Sequence, residues 1–215
     1  MLPDDPATPC DLSAIAHYYG SKLEAHGTTA QGVDWNGEES QHLRFQQLTQ
    51  RLPRTGIFSI NDLGCGYGAL ADYLSAHFGP FTYRGYDIAP EMIRSARQRF
   101  TSTPSISFEE SATPTGQADY GIASGIFNVM LSNDPGVWKE HIVATLDQLA
   151  ATSRLGFAFN CLTSYSDPEK MRDYLYYADP CWLFDLCKRR YSRQVALLHD
   201  YGLYEFTVLV TKTAP

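Results

Sequence analysis

Three glycines stand at alternate positions directly after a predicted β-strand. Residues 62–68 read Asp-Leu-Gly-Cys-Gly-Tyr-Gly, and a helix is predicted to follow them. Glycine at positions 64 and 66 lets a ligand lie against the backbone at the carboxyl end of the strand, and it also permits the tight turn. Gly64, Gly66 and Ala69 also fit a dinucleotide-binding fingerprint, so the loop alone predicts a nucleotide-like ligand without fixing its identity.

Two aspartates narrow the choice of ligand. Asp62 comes just before the glycine loop, where its carboxylate would repel a pyrophosphate and attract an ammonium or a sulfonium group. Asp87 lies at the end of the second predicted strand, in a position to accept hydrogen bonds from two ribose hydroxyls. The two carboxylates therefore favour a nucleoside that carries positive charge.

The two segments that contain these aspartates resemble a known family. Residues 62–68 resemble the first motif of class I S-adenosylmethionine (SAM)-dependent methyltransferases, and residues 87–92, Asp-Ile-Ala-Pro-Glu-Met, resemble the second. The resemblance covers roughly residues 56 to 160. It implies a Rossmann-like fold, SAM as the cofactor, and methyl transfer to an acceptor as the reaction.

The resemblance also implies which residues hold the cofactor. By this resemblance, Ser111 and Ala112 would stand at the position that meets the adenine amine. The segment Ser124-Gly125-Ile126, after the fourth strand, would pass beside the methionine end and the sulfonium. Ile88 and Met92 would pack near the adenine, although packing of the following helix is an open alternative for both. The predicted cofactor-binding residues are Asp62, Gly64, Cys65, Gly66, Gly68, Asp87, Ile88, Met92, Ser111, Ala112 and Ser124.

The sequence leaves the catalytic residue open. Methyl transfer is an in-line displacement at an activated carbon, so the protein contributes chiefly geometry, and a general base is needed only for an acceptor that is protonated at neutral pH. The candidates are His17, Tyr19, Asn128 and Tyr165. Surface or packing roles are alternatives for His17, and a loop or cap role for Asn128. Trp35 is interpreted as an anchor of the N-terminal segment rather than as a partner of the sulfonium.

The acceptor is predicted to be a small molecule. With a net charge of −7, the chain lacks the excess of basic residues that binding to nucleic acid usually requires. The exit of the fourth strand, residues 123–128, lacks the Asn/Asp-Pro-Pro-aromatic tetrad of many DNA and protein amide methyltransferases. A nucleic-acid or protein methyltransferase and a non-catalytic SAM-binding protein remain alternatives, whereas Asp62 disfavours an NAD-dependent oxidoreductase.

Alternating strands and helices must position these residues. The predicted fold is α/β, a doubly wound, mostly parallel seven-stranded sheet with a C-terminal antiparallel hairpin. Residues 1–55 form a helical N-terminal appendage or lid, and residues 56–215 form the SAM-binding domain with an insert at about 162–192. The predicted strands are 57–63, 82–87, 105–109, 120–125, 155–161, 194–199 and 205–211. The first predicted helix is capped by Asp11 and runs through residue 19. The other predicted helices are 38–52, 68–78, 90–100, 137–151, 166–177 and 179–190.

The remaining composition bears on the cellular setting. Five cysteines, an odd number without a CxxC pair, favour reduced thiols in the cytoplasm. The first eleven residues lack the pattern of a signal peptide, and no apolar run is long enough to span a membrane. The six histidines show no metal-ligand pattern such as HExxH, so no metal is expected. The oligomeric state is left open.

Overall fold

The computed structural model describes residues 10–212, and this part of the chain contains seven strands and six α-helices. The strands are β1 (Phe58–Leu63), β2 (Phe81–Asp87), β3 (Ile106–Glu110), β4 (Ala118–Ala123), β5 (Ser153–Leu162), β6 (Gln194–Leu198) and β7 (Glu205–Thr211). The helices are α1 (Leu12–His26), α2 (Glu38–Leu48), α3 (Ala69–His77), α4 (Pro90–Arg99), α5 (Pro135–Thr152) and α6 (Pro180–Arg190), with short 3-10 turns at Gln31–Val33 and Pro168–Lys170.

All seven strands belong to one sheet, in the order β3-β2-β1-β4-β5-β7-β6. Strands β1 to β5 pair in parallel, whereas β7 is antiparallel to both β5 and β6. Leu63, the last residue of β1, is in register with Tyr86 of β2 and Ala123 of β4, so these three strands end together at one edge. The predicted doubly wound fold with a closing antiparallel hairpin is confirmed.

Side-chain alternation along β5 shows how the sheet is buried on both faces. Phe157 and Phe159 pack into the apolar cluster beneath α5, while Ala158, between them, faces the opposite cluster beneath α2 and α3. A strand that is covered on both faces reads as a nearly continuous apolar run, which is why its prediction from the sequence succeeds.

Three helices begin at an aspartate whose side chain accepts hydrogen bonds from the first free backbone N–H groups. Asp11 accepts from Ser13 and Ala14 at the start of α1, and Asp134 and Asp179 do the same for α5 and α6, each followed by a proline. Such caps stabilise a helix by about 1 kcal/mol, and proline suits the first turn because its missing N–H is not needed there. The predicted cap at Asp11 is confirmed.

The predicted helix at 166–177 is wrong. After the short turn at Pro168–Lys170 the backbone runs irregularly, because it bonds to the exit of β4 instead of to itself. The carbonyl of Tyr174 accepts from the N–H groups of Met130 and Leu131, and the N–H of Tyr176 donates to the carbonyl of Asn128. These tertiary hydrogen bonds replace the bonds that a helix would have made.

Several predicted boundaries also shift. Helix α1 continues through Gly20, which packs against Glu91 of α4, and it ends at His26, followed by Gly27 with φ +66°. Helix α2 ends at Leu48, four residues earlier than predicted, and β4 ends at Ala123 because Gly125 turns the chain with φ +74°. Helices that are long and apolar enough to cross a bilayer are absent from residues 10–212. The predictions on a signal peptide concern residues 1–11, of which 1–9 lie outside the described residues.

Candidate functional site

A cavity of about 1010 Å³, its open mouth included, lies at the edge where β1, β2 and β4 end. Crevices at this edge are the usual ligand sites of open α/β sheets. Ten of the eleven predicted cofactor-binding residues line it, namely Asp62, Gly64, Cys65, Gly66, Asp87, Ile88, Met92, Ser111, Ala112 and Ser124. These ten residues, which were predicted from the sequence to share a site, therefore lie together in the wall of one cavity.

The glycine loop is tied to the neighbouring strand at its base. The N–H groups of Gly64 and Cys65 both donate to the carbonyl of Tyr86, at 2.7 and 3.0 Å. Gly64 adopts φ +74°, and a Cβ there would lie only 2.0 Å from Cγ2 of Ile126. Glycine at this position is thus required by the left-handed backbone and by the close approach of the chain that follows β4.

Asp87 is held by backbone donors on both sides. Its Oδ2 accepts from the N–H of Gly66 at 2.8 Å, and its Oδ1 accepts from the N–H of Ala89 at 2.9 Å. Burial raises the pKa of Asp87 above its usual value, and the hydrogen bonds from these N–H groups offset only part of that rise. A carboxylate offers about four lone-pair sites, so the oriented Asp87 retains acceptor capacity toward the cavity for ligand hydroxyls.

Asp62 is only 2% exposed and is incompletely bonded. Its Oδ2 accepts from the Tyr83 hydroxyl, while its buried Oδ1 has no hydrogen-bond partner. Burial raises the pKa of Asp62 to about 7, and the charge of Asp87 adds to that rise. Among the described residues that line the cavity none is lysine or arginine, so a ligand cation is the group that would stabilise the ionised form of Asp62.

Ser124 repeats this pattern on β4's exit. Its buried hydroxyl lacks a hydrogen-bond partner and lies in the cavity wall beside Gly125. Unpaired buried polar atoms are costly, and two of them, on Asp62 and Ser124, occur at the same cavity. A polar, cationic nucleoside such as SAM fits these vacant donor and acceptor positions.

The adenine candidates occupy the opposite part of the wall. The N–H of Ser111 donates to the carbonyl of Asp87, and the Ser111 hydroxyl donates to the carbonyl of Thr113. Met92 packs with Tyr67 and Ala89, which confirms its packing role. It also lines the cavity, and its contact with the adenine stays a prediction.

Four predicted site residues lie away from the cavity. Gly68, with φ +89°, starts α3, and a Cβ there would meet the rings of Phe100 and Phe108. His17 is exposed on α1, and Tyr165 is 68% exposed near His199. The structure places these side chains outside the wall of the predicted site.

Asn128 is the fourth of them, and it fixes the backbone of the insert. Its buried side chain accepts from the N–H of Leu162, and its carbonyl accepts from Tyr176. Of the four catalytic candidates Tyr19 alone lines the cavity. Burial, together with the charges of Asp34 and Asp87, raises the pKa of Tyr19 well above its usual range, so Tyr19 is protonated at neutral pH.

Sequence reasoning missed most of the wall that the helices contribute. These residues are Leu12, Ile15, Gln41, Phe45, Trp138, His141 and Thr145. Val33 and Tyr67, which lie outside the α-helices, were missed as well. Leu12, Ile15 and Tyr19 stand at i, i+3 and i+7 of α1, a helical stripe that would have indicated a buried face. Burial lowers the pKa of His141, so this imidazole is neutral at pH 7.

Trp35 also lines the cavity, and the positively charged side chain of Arg44 stacks on its ring. The guanidinium of Arg44 lies 3.9 Å from the centre of the indole. The interpretation of Trp35 as an anchor of the N-terminal segment agrees with this contact.

Comparisons with known proteins find similarity to methyltransferases. A family described as "Methyltransferase domain" matches residues 60–156. A protein of Mycobacterium tuberculosis strain H37Rv, named as a candidate methyltransferase, Rv1506c, is 63% identical over 157 residues, which are 73% of this chain and 95% of that protein.

Two solved structures share the fold. Magnesium protoporphyrin IX methyltransferase from Synechocystis PCC 6803 with bound SAH gives a TM-score of 0.68 at 14% identity, over 94% of this chain and 100% of that one. A DhpI–SAH complex gives a TM-score of 0.63 at 13% identity, over 95% and 97% of the two chains. At such identities the likeness concerns the fold alone.

Proposed function

Because the chain belongs to the class I SAM-dependent methyltransferases, we propose that it transfers the methyl group of SAM to a small molecule held in the cavity beside the glycine loop. The observation that carries the proposal is the position of this cavity between the sheet and the helices. Helices α1 and α2, the sheet edge and α5 all contribute to its wall, which suits an acceptor small enough to enter between them.

The cofactor would lie across the ends of β1, β2 and β4. Asp87 would accept the ribose hydroxyls, and the unpaired Oδ1 of Asp62 would face the positive part of the methionine moiety. Ser111 and Ala112 would border the adenine, with Ile88 and Met92 against its face. Ser124, whose hydroxyl has no hydrogen-bond partner in the protein, would stand near the sulfonium.

The chemistry then depends on position more than on a reactive side chain. SAM, when bound, supplies a methyl group on a positively charged sulfur. The protein's part is to hold the acceptor in line at about 3–3.5 Å and to exclude water. Tyr19 is able to donate a hydrogen bond to the acceptor, and its raised pKa means that it does not serve as a base at neutral pH.

The wall also favours small, uncharged acceptors. Trp35 and Phe45 offer aromatic surface, and Gln41 offers an amide. No lysine or arginine stands among the described lining residues to hold a carboxylate or a phosphate. The net charge of −7 gives no support to nucleic acid as a partner. The magnesium protoporphyrin methyltransferase that shares the fold acts, by its name, on a small molecule, which is in keeping with the proposal.

We also propose that residues 1–55 act as a lid on a SAM-binding domain formed by residues 56–215. In the described part of this segment, Asp34 accepts hydrogen bonds from Tyr18 and Lys22 at 2.6 Å each, which fastens α1 to the turn before α2. All five cysteines, each within the described residues, are free thiols, which supports a cytoplasmic location.

Methyl-labelled SAM provides the test. The purified protein is incubated with labelled SAM and with pools of small metabolites, total RNA or protein extract in separate reactions. We expect label to enter the small-molecule pool. Label in the RNA or protein pool would refute the proposed acceptor class, and binding of SAM without transfer to any pool would identify a non-catalytic SAM-binding protein. Calorimetry with SAM, SAH and NAD checks that the binding step itself is specific.

A further inference from the structure

We infer that Arg44 and Glu205 are positioning residues, which hold the indole of Trp35 against the backbone of Gly125 at the cofactor cavity. Neither residue lines the cavity. They act through a closed ring of contacts that joins α2, β7, β5 and the exit of β4. The inference rests on the proposed cofactor site, and it adds to that site the buried charges which shape one of its walls.

The first link is a buried ion pair. Nε and Nη2 of Arg44 donate to the two carboxylate oxygens of Glu205, at 2.8 and 2.7 Å. Arg44 is 5% exposed and Glu205 is 1% exposed. A third donor of the guanidinium bonds to the carbonyl of Ser40 within α2, so the orientation of the planar group is fully determined.

The second link runs from Glu205 to the wall of the cavity. Its Oε2 also accepts from Nδ2 of Asn160 at 2.6 Å, and Oδ1 of Asn160 accepts from the N–H of Gly125 at 2.8 Å. Asn160 is completely buried in β5. The carboxylate therefore determines which way the Asn160 amide points, and that amide fixes the turn at Gly125.

The third link closes the ring on the other side. The guanidinium of Arg44 lies over the Trp35 indole at 3.9 Å. The far edge of that indole is packed on Gly125, where an added Cβ would be 2.4 Å from Cη2 of Trp35. Trp35 and Gly125 both line the cavity, so the two ends of one buried charge pair support two adjoining parts of its wall.

Stability alone does not account for this arrangement. Apolar residues of similar size often replace a buried ion pair with no loss of stability, because removing two charges from water is costly. Here the two charges orient other groups. The guanidinium of Arg44 positions the Trp35 ring, and the carboxylate of Glu205 positions, through Asn160, the turn at Gly125. Loss of the pair should accordingly change the wall more than it changes the fold.

Fluorine NMR of protein labelled with 5-fluorotryptophan tests the role directly. The three tryptophans, Trp35, Trp138 and Trp182, give three signals, and Trp35→Phe assigns one of them. In the wild type, SAH should shift the Trp35 signal and leave that of Trp182 unchanged, because Trp35 lines the cavity and Trp182 does not.

The test variant is Arg44→Met/Glu205→Leu, which removes both charges together. We expect cooperative unfolding to persist, the Trp35 signal to move and broaden, and the Kd for SAH to rise at least about tenfold. Arg44→Lys keeps the charge pair but loses the planar stacking. It should move the same signal and raise the Kd at least about threefold, because the cation–π contact that it weakens is buried.

Arg190→Met serves as the matched control, because it removes an ion pair with Asp147 at the surface. It should leave the Trp35 signal and the Kd for SAH unchanged. Folded double-variant and Arg44→Lys proteins with the wild-type signal and a Kd within twofold of wild type would overturn the positioning role. A wild-type protein that binds no SAH in calorimetry would overturn the proposed cofactor site as well.

Discussion

The backbone N–H of Gly66 donates a 2.8 Å hydrogen bond to the carboxylate of Asp87. The glycine loop and the acid at the end of β2 are therefore one bonded unit before any ligand arrives. A carboxylate that is oriented in advance loses little freedom when it binds a ligand.

Replacement of Asp87 should weaken cofactor binding without unfolding the protein. Hydrogen bonds to a charged group contribute roughly 1.5–3 kcal/mol each, so Asp87→Ala should raise the Kd for SAH at least about tenfold. Glu110→Ala is the matched control, since Glu110 is the exposed strand-end carboxylate in register with Asp87. Calorimetry that shows equal affinity for wild type and a folded Asp87→Ala protein would remove Asp87 from the site.

Asp62 should make cofactor affinity depend on pH. Its pKa is raised to about 7 by burial, so the ligand-free protein is partly protonated there at neutral pH. Affinity for SAM should fall as the pH drops from 8 to 6, because a protonated Asp62 does not attract the cationic ligand. Asp62→Asn should bind weakly and lose this slope; an unchanged slope in the variant would assign the pH dependence to another group.

The same residue should lower the stability of the ligand-free protein as the pH rises. A carboxyl with a folded-state pKa above its unfolded value of 3.8 binds more protons when folded, so stability falls between about pH 4 and 7. The shift corresponds at most to about 4 kcal/mol. Asp62→Asn should therefore have the higher Tm, by a margin that grows from pH 5 to 8.

Asp119→Asn should change the stability of the protein in the opposite direction. Burial raises the pKa of Asp119, but hydrogen bonds from Ser59 and Arg154 outweigh it and lower the pKa overall. Asp119 thus stabilises the fold above its unfolded pKa, and this stabilisation is lost as the pH falls through its folded-state pKa. Asp119→Asn should have the lower Tm at pH 7, and equal behaviour of the two variants would contradict both assignments.

Gly64→Ala should destabilise the protein through a specific clash. The new Cβ would meet Ile126 at 2.0 Å and would also be strained by φ +74°, so a loss of about 1–3 kcal/mol is expected. Ile126→Ala should restore part of that loss in the double variant. Gly56→Ala has φ +90° with no atom within 4 Å, and it isolates the backbone cost. An additive double-mutant cycle would show that the two residues do not interact.

Protection of the N-terminal segment from proteolysis tests the proposed lid. Cleavage within residues 27–37 should slow when SAH is added, because ligand contacts favour the closed state. Asp34→Ala, which releases Tyr18 and Lys22, should be cleaved faster with or without SAH. Glu24→Gln changes an exposed charge on the same helix and should behave as wild type. Cleavage of wild type at equal rates with and without SAH would refute the lid.

The sequence predicted what depends on local chemistry. The turn after β1 follows from its alternating glycines, and the buried strand β5 follows from its apolar run. The aspartates at 62 and 87 were located by their positions at the ends of predicted strands. The helix expected at 166–177 failed because the carbonyls of Tyr174 and Asn128 bond across the fold, which no local pattern encodes. The ring from Arg44 to Gly125 was missed for the same reason, since its members lie as far apart as 161 residues.

The position of β7 between β5 and β6 has a consequence for how the molecule is made. Strand β6 leaves the ribosome before β7, and β7 is its one partner in the sheet of residues 10–212. The growing chain must therefore hold β6 and the exposed edge of β5 unpaired, a state in which strands are prone to wrong pairing. Glu205 is the first residue of β7, so the buried charge that bonds Arg44 and Asn160 is made together with the strand that completes the sheet. A nascent chain that stops short of β7 would carry the whole glycine loop and both aspartates that are predicted to bind the ligand, yet leave Arg44 without its counter-ion.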